Sequence, residues 1–203
     1  MTANSYTPAQ ASAVTKLPLK AVQKLIEVRL IRPRRMLSGR GVQRLLSSEQ
    51  LVYLRLEAEG VRLLPLAARR EVARTVVSKP EVNSIAVSGG SALVIEVERA
   101  RQEVEQEVKR LRKVQEMVAS DPEIMRGTPV FKGTRIPVEL VAEMIAQGAT
   151  VEEILAGYPA LDREQVESAT LYVIAFPRRG RPAHRPWAKK KPARVTRQRR
   201  AAA

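Results

Sequence analysis

The side chains with the clearest binding chemistry in this sequence lie near its amino-terminal end. Lys20, Gln23 and Lys24 have the spacing of neighbours on one face of a helix. Long polar side chains in that arrangement can hydrogen-bond phosphates and the edges of bases in a groove of DNA. Four arginines follow in a segment rich in proline and glycine, from which they could reach flanking phosphates: Arg32, Arg34, Arg35 and Arg40. These residue types in this pattern predict a DNA-binding surface.

The net charge of +15 is distributed unevenly along the 203 residues. Residues 1–80 hold 15 Lys and Arg against five acidic residues, whereas residues 119–177 hold four against nine. Residues 178–203 hold 11 Lys and Arg and no acidic residue. Both basic ends favour a polyanionic partner, and the acidic segment disfavours one.

The helices that must position the cations have recognisable starting signals. Thr7, Pro8 and Gln10 predict a capping box at the start of a first short helix. Pro18 predicts the start of a second helix, which carries the first three polar side chains on its outer face. The buried stripe of that second helix is predicted to consist of Leu19, Val22 and Ile26.

A third helix is predicted from the cap at Ser47 to Gly60, and a fourth over residues 64–77. Between the second and third helices, residues 31–46 are interpreted as a basic loop. Two short helices, a basic loop and a third helix are the parts of a winged helix-turn-helix, in which one helix enters the major groove.

Residues 6–77 also resemble the DNA-binding domain of the MerR class. The resemblance is carried by Tyr6-Thr7-Pro8, Pro18-Leu19-Lys20, Leu30-Ile31-Arg32-Pro33 and Leu46-Ser47-Ser48. It implies a winged helix-turn-helix that binds DNA. The alternative is that capping signals and apolar stripes of this kind occur in any small helical domain.

A β hairpin and a long helix are predicted for the next segment. Residues 82–97 alternate between apolar and polar side chains around Gly89-Gly90, which is typical of a hairpin. The helix is predicted from Glu98 to Ala119, with a stripe at Val97, Val104, Leu111 and Val118. This seven-residue spacing is compatible with pairing to a second copy in a homodimer, and equally with packing against its own domain.

A compact three-helix module behind a short extended arm is predicted for residues 119–177. Capping boxes at Thr150 and Asp162 indicate the starts of its second and third helices. The predicted buried residues of the third helix are Val166, Ala169, Leu171, Val173 and Ile174. Its predicted outward residues are Glu164, Glu167, Ser168 and Tyr172, with Arg163 as the only cation. Because carboxylates repel phosphates, this module is expected to serve dimerisation or a protein partner.

This module resembles the family known as domain of unknown function 433. The motifs that carry the resemblance are Asp121-Pro122, Gly127-Thr128-Pro129-Val130, Gly133-Thr134-Arg135-Ile136-Pro137-Val138, Gln147-Gly148, Glu153-Ile154-Leu155 and Tyr158-Pro159. Met125-Arg126 is a departure, since the family more often has a small residue or glycine there. Thr134 is expected to close a turn. Arg135 is expected either to pair with a carboxylate of the module or to lie at a partner surface.

The resemblance implies a homeodomain-like trihelical fold and a role as a VapB-type antitoxin. Proteins of that type neutralise a toxin, usually a PIN-domain ribonuclease, and the complex represses its own operon. The resemblance therefore implies two partners for this chain, the cognate toxin and operator DNA.

The basic segment 178–203 is predicted to be disordered when free, because it has too few apolar residues to form a core. One interpretation places Arg179-Gly180-Arg181-Pro182 in the minor groove of A·T-rich DNA, as in an AT-hook. A second lays the segment across the active site of the toxin, where arginines would meet the carboxylates that hold Mg²⁺. The toxin-binding residues would then be Arg178, Arg179, Arg181, Arg185 and Trp187. In a third interpretation, the segment contributes only non-specific positive charge.

The sequence contains no phosphate-binding loop, zinc pattern or activated nucleophile, so neither an enzyme nor a cofactor or metal site is predicted. The absence of cysteine and of long apolar stretches fits a bacterial cytoplasmic protein without a membrane span. The predicted fold is mainly α with a small β hairpin.

Its predicted divisions are the winged helix-turn-helix (1–80), the hairpin and long helix (81–118), the trihelical module (119–177) and the tail (178–203). The predicted function is that of an antitoxin that binds DNA, and the alternative is a transcriptional regulator or nucleoid-associated protein without a toxin partner.

Overall fold

The computed structural model describes residues 5–38, 41–89 and 91–178. Within these ranges the chain is mainly helical and contains three small antiparallel sheets, which confirms the predicted fold class. No helix in the described ranges is long and apolar enough to cross a bilayer.

The amino-terminal part packs four helices around a three-stranded antiparallel sheet. The helices are α1 (Pro8–Thr15), α2 (Leu19–Glu27), α3 (Ser48–Glu59) and α4 (Leu66–Ser78). The strands are β1 (Ser5–Tyr6), β2 (Arg34–Ser38) and β3 (Gly41–Ser47), in the spatial order β1-β3-β2. The capping boxes of α1 and α3 form as predicted: Gln10 N–H donates to the Thr7 hydroxyl, and Gln50 N–H to the Ser47 hydroxyl, both at 3.3 Å.

Two details of this part correct the sequence analysis. Residues 31–46, interpreted as a loop, form most of a β hairpin in which Arg34 faces Leu45 and Leu37 faces Val42. Most side chains of this hairpin face solvent, so the alternation that reveals a half-buried strand is absent. On α2, the buried residues are Val22 and Leu25, whereas Leu19 is 36% exposed. The buried face of α2 is therefore rotated about the helix axis relative to the predicted stripe.

A second hairpin leads into the long helix. It consists of β4 (Ser84–Gly89) and β5 (Ser91–Glu96), as predicted, and is followed by α5 (Val97–Glu116). The buried residues of α5 are Val97, Ala100, Val104, Val108, Leu111 and Val114. They pack within the chain, because α5 contacts α1, α3 and α8. Of the two alternatives for the seven-residue stripe, the structure therefore shows packing on its own domain.

The carboxyl-terminal part contains a short two-stranded sheet and three helices. The strands are β6 (Val118–Ala119) and β7 (Val130–Phe131), and the helices are α6 (Val138–Ala146), α7 (Val151–Gly157) and α8 (Arg163–Ala175). Both predicted capping boxes form, at Thr150 with Glu153 and at Asp162 with Gln165. Val118 and Ala119, predicted as the last residues of the long helix, form β6, in which Val118 faces Phe131.

Helix α8 contributes to both hydrophobic cores found among the described residues. Val166 and Ala169 belong to the core with α6 and α7, whereas Ala175 belongs to the larger core with α1 and α5. This double packing explains two wrong predictions. Ser168, predicted to face outward, is buried at 4% exposure, and Ile174, predicted to be buried, is 47% exposed.

Candidate nucleic-acid interface

The outer face of α2 presents the three predicted polar side chains to solvent. Lys20, Gln23 and Lys24 are exposed, whereas Val22 and Leu25 anchor the opposite face in the core. Lys24 lies 3.9 Å from a carboxylate oxygen of Glu27, but both side chains are more than 60% exposed, so solvent weakens this pair. The face can therefore donate hydrogen bonds to an external partner.

The turn after α2 holds an arginine in an unusual backbone conformation. Leu30 N–H donates to the Leu25 carbonyl at 3.0 Å and Arg29 N–H to the Ile26 carbonyl at 3.1 Å, which closes the helix end in the manner of a Schellman motif. Arg29 has φ +58°, a left-handed conformation that glycine adopts at least cost. An exposed cation thus occupies a position where backbone energetics favour glycine.

The β2–β3 hairpin concentrates further positive charge. Arg35 lies directly opposite Arg44 in the antiparallel register, and both side chains are exposed. Like charges that face each other across two strands destabilise a sheet, and a bound anion would remove that repulsion. Within the described part of the chain, neither of them nor Arg34 forms an ion pair. The predicted Arg40 lies outside the described residues.

A cleft of about 670 Å³ opens between the turn after α2 and helices α3 and α4. Four arginines line it, Arg29 and Arg32 from one side and Arg70 and Arg74 of α4 from the other. None of the four forms an ion pair with a described residue. A concave surface lined by one sign of charge attracts ions of the opposite sign, so this cleft favours anions such as phosphates.

Tyr53, which lines this cleft, is hydrogen-bonded to a buried carboxylate that pairs with another arginine. Glu57 is buried and accepts two hydrogen bonds of 2.9 Å from Arg69, while the Tyr53 hydroxyl donates to the same carboxylate. Burial, followed by the hydrogen bond to Glu57, raises the pKa of Tyr53 above its usual range. The hydrogen bond to Glu57 likewise raises the pKa of Arg69. Glu57 therefore joins α3 to α4 and leaves the four cleft arginines without a counter-charge from this group.

Sequence reasoning found part of this interface and missed the rest. It identified the α2 residues and Arg32, Arg34 and Arg35, but it missed Arg29, Arg44, Arg70 and Arg74. Arg70 and Arg74 stand four residues apart on the predicted fourth helix, and that spacing could have indicated a common face. Arg44 could be found only through the strand register, which sets it against Arg35.

The carboxyl-terminal module has a different surface. Arg163 pairs with Glu152 at 2.5 Å and lies 3.6 Å from Glu167, and Glu164 pairs with Lys113 of α5. The hydrogen bond from Arg163 lowers the pKa of Glu152. The cation of α8 is thus paired with two carboxylates, unlike the described arginines of the β2–β3 hairpin, which form no ion pair with a described residue.

The signature turn of this module is organised by Thr134. Its hydroxyl donates to the Phe131 carbonyl at 2.9 Å and accepts from Ile136 N–H at 3.0 Å, which confirms its predicted role in the turn. Arg135 is exposed, and the predicted ion pair with a carboxylate of the module does not form among the described residues.

The start of the basic tail is held against the module. Nε of Arg178 lies 3.1 Å from a carboxylate oxygen of Glu139 on α6. The other predicted toxin-binding residues lie outside the described ranges: Arg179, Arg181, Arg185 and Trp187. Within those ranges, no three Asp, Glu or His side chains cluster as metal ligands.

Comparison with known proteins identifies the carboxyl-terminal module. Residues 118–173 match the family described as "Protein of unknown function (DUF433)". The predicted resemblance is confirmed for this segment. "Uncharacterized protein y4eO" of Sinorhizobium fredii (strain NBRC 101917 / NGR234) is 48% identical over 66 residues, which are 32% of this chain and 30% of that protein. The alignment therefore spans less than a third of the length of either protein.

A solved structure gives a much weaker similarity. The X-ray crystal structure of Rv2018 from Mycobacterium tuberculosis aligns with 81% of this chain and 96% of its own, at 15% identity and a TM-score of 0.34. That TM-score is too low to establish a shared fold.

Proposed function

We propose that this chain is a DNA-binding transcriptional repressor. In this proposal α2 lies in the major groove, the β2–β3 hairpin follows the neighbouring backbone, and the arginine cleft holds phosphates. The observation that carries the proposal is a set of exposed arginines of the amino-terminal part without ion pairs to described residues: Arg29, Arg32, Arg34, Arg35, Arg44, Arg70 and Arg74. A helix with long polar side chains beside such a surface has the chemistry that a duplex requires.

Fluorescence anisotropy with a labelled duplex from the region upstream of the coding sequence tests this proposal. The double variant Lys20→Gln/Lys24→Gln removes two charges from α2 and is expected to bind at least tenfold more weakly than the wild type. Lys132→Gln/Arg135→Gln removes the same charge from exposed positions of the acidic module and is the matched control. Equal affinities of the two double variants would contradict the placement of α2 on DNA.

We further propose that the chain acts as the antitoxin of a type II toxin-antitoxin system. Support comes from the family match of residues 118–173, whose resemblance implies a VapB-type role, and from the 11 cations of the tail. In this proposal, the tail arginines meet the metal-binding carboxylates of a PIN-domain ribonuclease, and Trp187 anchors the segment as a buried aromatic. The role is one of binding, without catalysis or a cofactor, in the bacterial cytoplasm and on the nucleoid.

Purification from the native host in moderate salt with nuclease tests the antitoxin role. We expect a small protein to co-purify in near-stoichiometric amount and to lose its ribonuclease activity in the complex. A chain that ends at Arg178 should release that activity. Recovery of this chain alone, still able to shift DNA, would instead support the alternative, a transcriptional regulator without a toxin partner.

A homodimer forms part of the proposal, since a dimer can engage two half-sites of an operator. The buried stripe of α5 is already packed within the chain, so dimerisation would use another surface. Light scattering of the purified protein at several concentrations measures the oligomeric state.

A further inference from the structure

The β4–β5 hairpin has an outer edge without a strand partner among the described residues. β4 contacts α4 and α5, and β5 is the outer strand of this two-stranded sheet. Every second residue of an edge strand directs its backbone N–H and C=O groups away from the sheet. The outer edge of β5 can therefore pair with a further strand.

The sequence of this hairpin lacks the features that usually protect an exposed edge. Natural proteins place lysine, proline or a β-bulge there and so prevent association. Residues 84–95 contain no charged residue and no proline, and the strand register continues unbroken from Ser84–Glu96 to Ser88–Ala92. A hairpin of two strands is also only marginally stable by itself. This edge is therefore suited to a lasting contact with another polypeptide.

Both faces of the outer strand expose an aliphatic side chain. On the face toward the core, Leu93 is 45% exposed, although Val87 directly opposite it is only 7% exposed. On the other face, Val94 is 55% exposed. Because removal of apolar surface from water is favourable, a strand paired with β5 would be stabilised by side-chain contacts on both faces.

The charge of this region disfavours a nucleic acid as the occupant of the edge. Residues 80–98 contain three acidic residues and no Lys or Arg, so a phosphate backbone would be repelled. The homodimer of the proposed function, in contrast, needs a surface other than the buried stripe of α5. A twofold axis at Val94 provides one, because β5 then pairs with itself in antiparallel register.

We propose that two copies of the chain associate edge to edge through β5, in a four-stranded antiparallel sheet of order β4-β5-β5-β4. Val94 lies opposite Val94 of the second copy, and Leu93 lies opposite its Ile95. Glu96 lies opposite Ala92, so the pairing brings no like charges face to face. This inference rests on the homodimer of the proposed function and names the surface that forms it.

A single cysteine tests the register, because the chain has no cysteine of its own. Directly opposite residues of an antiparallel pair have Cα atoms about 4.5–5.5 Å apart, within the range of about 4.4–6.8 Å that a disulfide spans. Full-length Val94→Cys is therefore expected to form a covalent dimer on mild oxidation, detected by gel electrophoresis without reductant.

Ala86→Cys is the matched control for the cross-link. Ala86 is exposed on β4 directly opposite Val94 of the same chain. In the proposed sheet, the two copies of Ala86 are three strand spacings apart, about 14 Å, which is too far for a disulfide. This variant is expected to remain without a cross-link.

Charged substitutions test whether this contact holds the dimer together. Val94→Lys places two cations face to face across the axis and is expected to raise the dissociation constant of the dimer at least about tenfold in light scattering. Val94→Glu should have a similar effect, and an equimolar mixture of the two variants should recover dimers through pairs of opposite charge. Ala86→Lys adds the same charge away from the axis and should dimerise as the wild type does.

The outcomes separate this surface from the proposed function. A dimer that neither cross-links through Val94→Cys nor weakens with Val94→Lys would overturn the inference alone. A monomeric wild type would overturn both the inference and the proposed homodimer. A Val94→Lys dimer that loses the co-purifying small protein would overturn the inference in favour of the toxin at this edge. A chain that cross-links through Val94→Cys but fails to bind DNA would contradict only the proposed DNA-binding function.

Discussion

Two arginines in the described part of the chain have backbone conformations that carry a steric cost. Arg29 after α2 has φ +58°, and Arg126 before the signature motif has φ +56°. A side chain in the left-handed region costs about 1–2 kcal/mol relative to the right-handed one. Met125-Arg126 is also the departure noted from the motif of the resembled family, and Met125 has a positive φ of +50° as well.

Substitution of either arginine by glycine should raise stability. The relief of about 1–2 kcal/mol is partly offset by about 0.5–1 kcal/mol of extra entropy in the unfolded chain. We expect a net gain of about 0.5–1 kcal/mol for Arg29→Gly and Arg126→Gly in chemical denaturation. Only Arg29→Gly should weaken DNA binding, because only Arg29 lines the basic cleft. Arg29→Ala keeps the Cβ atom and should lose affinity without the gain in stability.

The buried carboxylate of Glu57 supports a second prediction. Removal of one partner of a buried ion pair leaves the other charge uncompensated and costs about 3–5 kcal/mol. Because the Arg69 side chain keeps 19% of its surface exposed, Glu57→Leu is expected to lower the free energy of unfolding by less than this, by about 1–3 kcal/mol. Glu57→Leu/Arg69→Met removes both charges and should recover most of the loss. Urea denaturation of both variants measures their free energies of unfolding. An equal decrease in both would show that the unpaired charge of Arg69 does not cause the destabilisation.

At the scale of elements, α8 joins the two hydrophobic cores, and its buried face can be tested. Ala175 is 2% exposed in the core with α1 and α5, while its neighbour Ile174 is 47% exposed. Ala175→Asp buries an unpaired polar group and is expected to destabilise the chain by at least about 2 kcal/mol. Ile174→Asp is the matched control and should have little effect.

Differential scanning calorimetry of the full chain provides the measurement. Because α8 belongs to both cores, the wild type is expected to unfold in one cooperative transition that Ala175→Asp shifts as a whole. Two independent transitions, of which the substitution moves only one or neither, would contradict the coupling of the cores through α8.

The sequence predicted the helix starts well because their signals are local. The four capping boxes, at Thr7, Ser47, Thr150 and Asp162, each need only a side chain and its partner three residues later. Features that depend on tertiary packing were predicted less well. The buried position of Ser168 follows from the contact of α8 with α5, which no periodicity within α8 reveals.

The β2–β3 hairpin and the cleft show the same limit for the candidate site. Arg35 and Arg44 are nine positions apart in sequence, and only the strand register brings them face to face. Arg29 and Arg74 line the same cleft because α4 packs on α3. The residue types alone predicted a positively charged site. The relative positions of its side chains became known only from the folded structure.

At the scale of the whole molecule, the distribution of charge and the family resemblance assign the two parts of the chain to two different proposed partners. The basic surface of α2, the hairpin and the cleft lies in the amino-terminal part, and the acidic module matched by the family lies in the carboxyl-terminal part. The packing of α8 on α1 gives the two parts a shared element. We propose that a partner bound to the module acts on the proposed DNA-binding part through α8.

The measurement that tests the central claim most directly is the salt dependence of DNA binding by the full-length chain. If the basic surface engages at least six phosphates, affinity should fall by about 10³ between 50 and 200 mM salt. Arg70→Gln/Arg74→Gln, which removes two cations from the cleft, should reduce the slope of log K against log salt by about 1.8. An affinity that scarcely changes with salt, or a slope that this double variant leaves unaltered, would contradict the assignment of this surface to DNA.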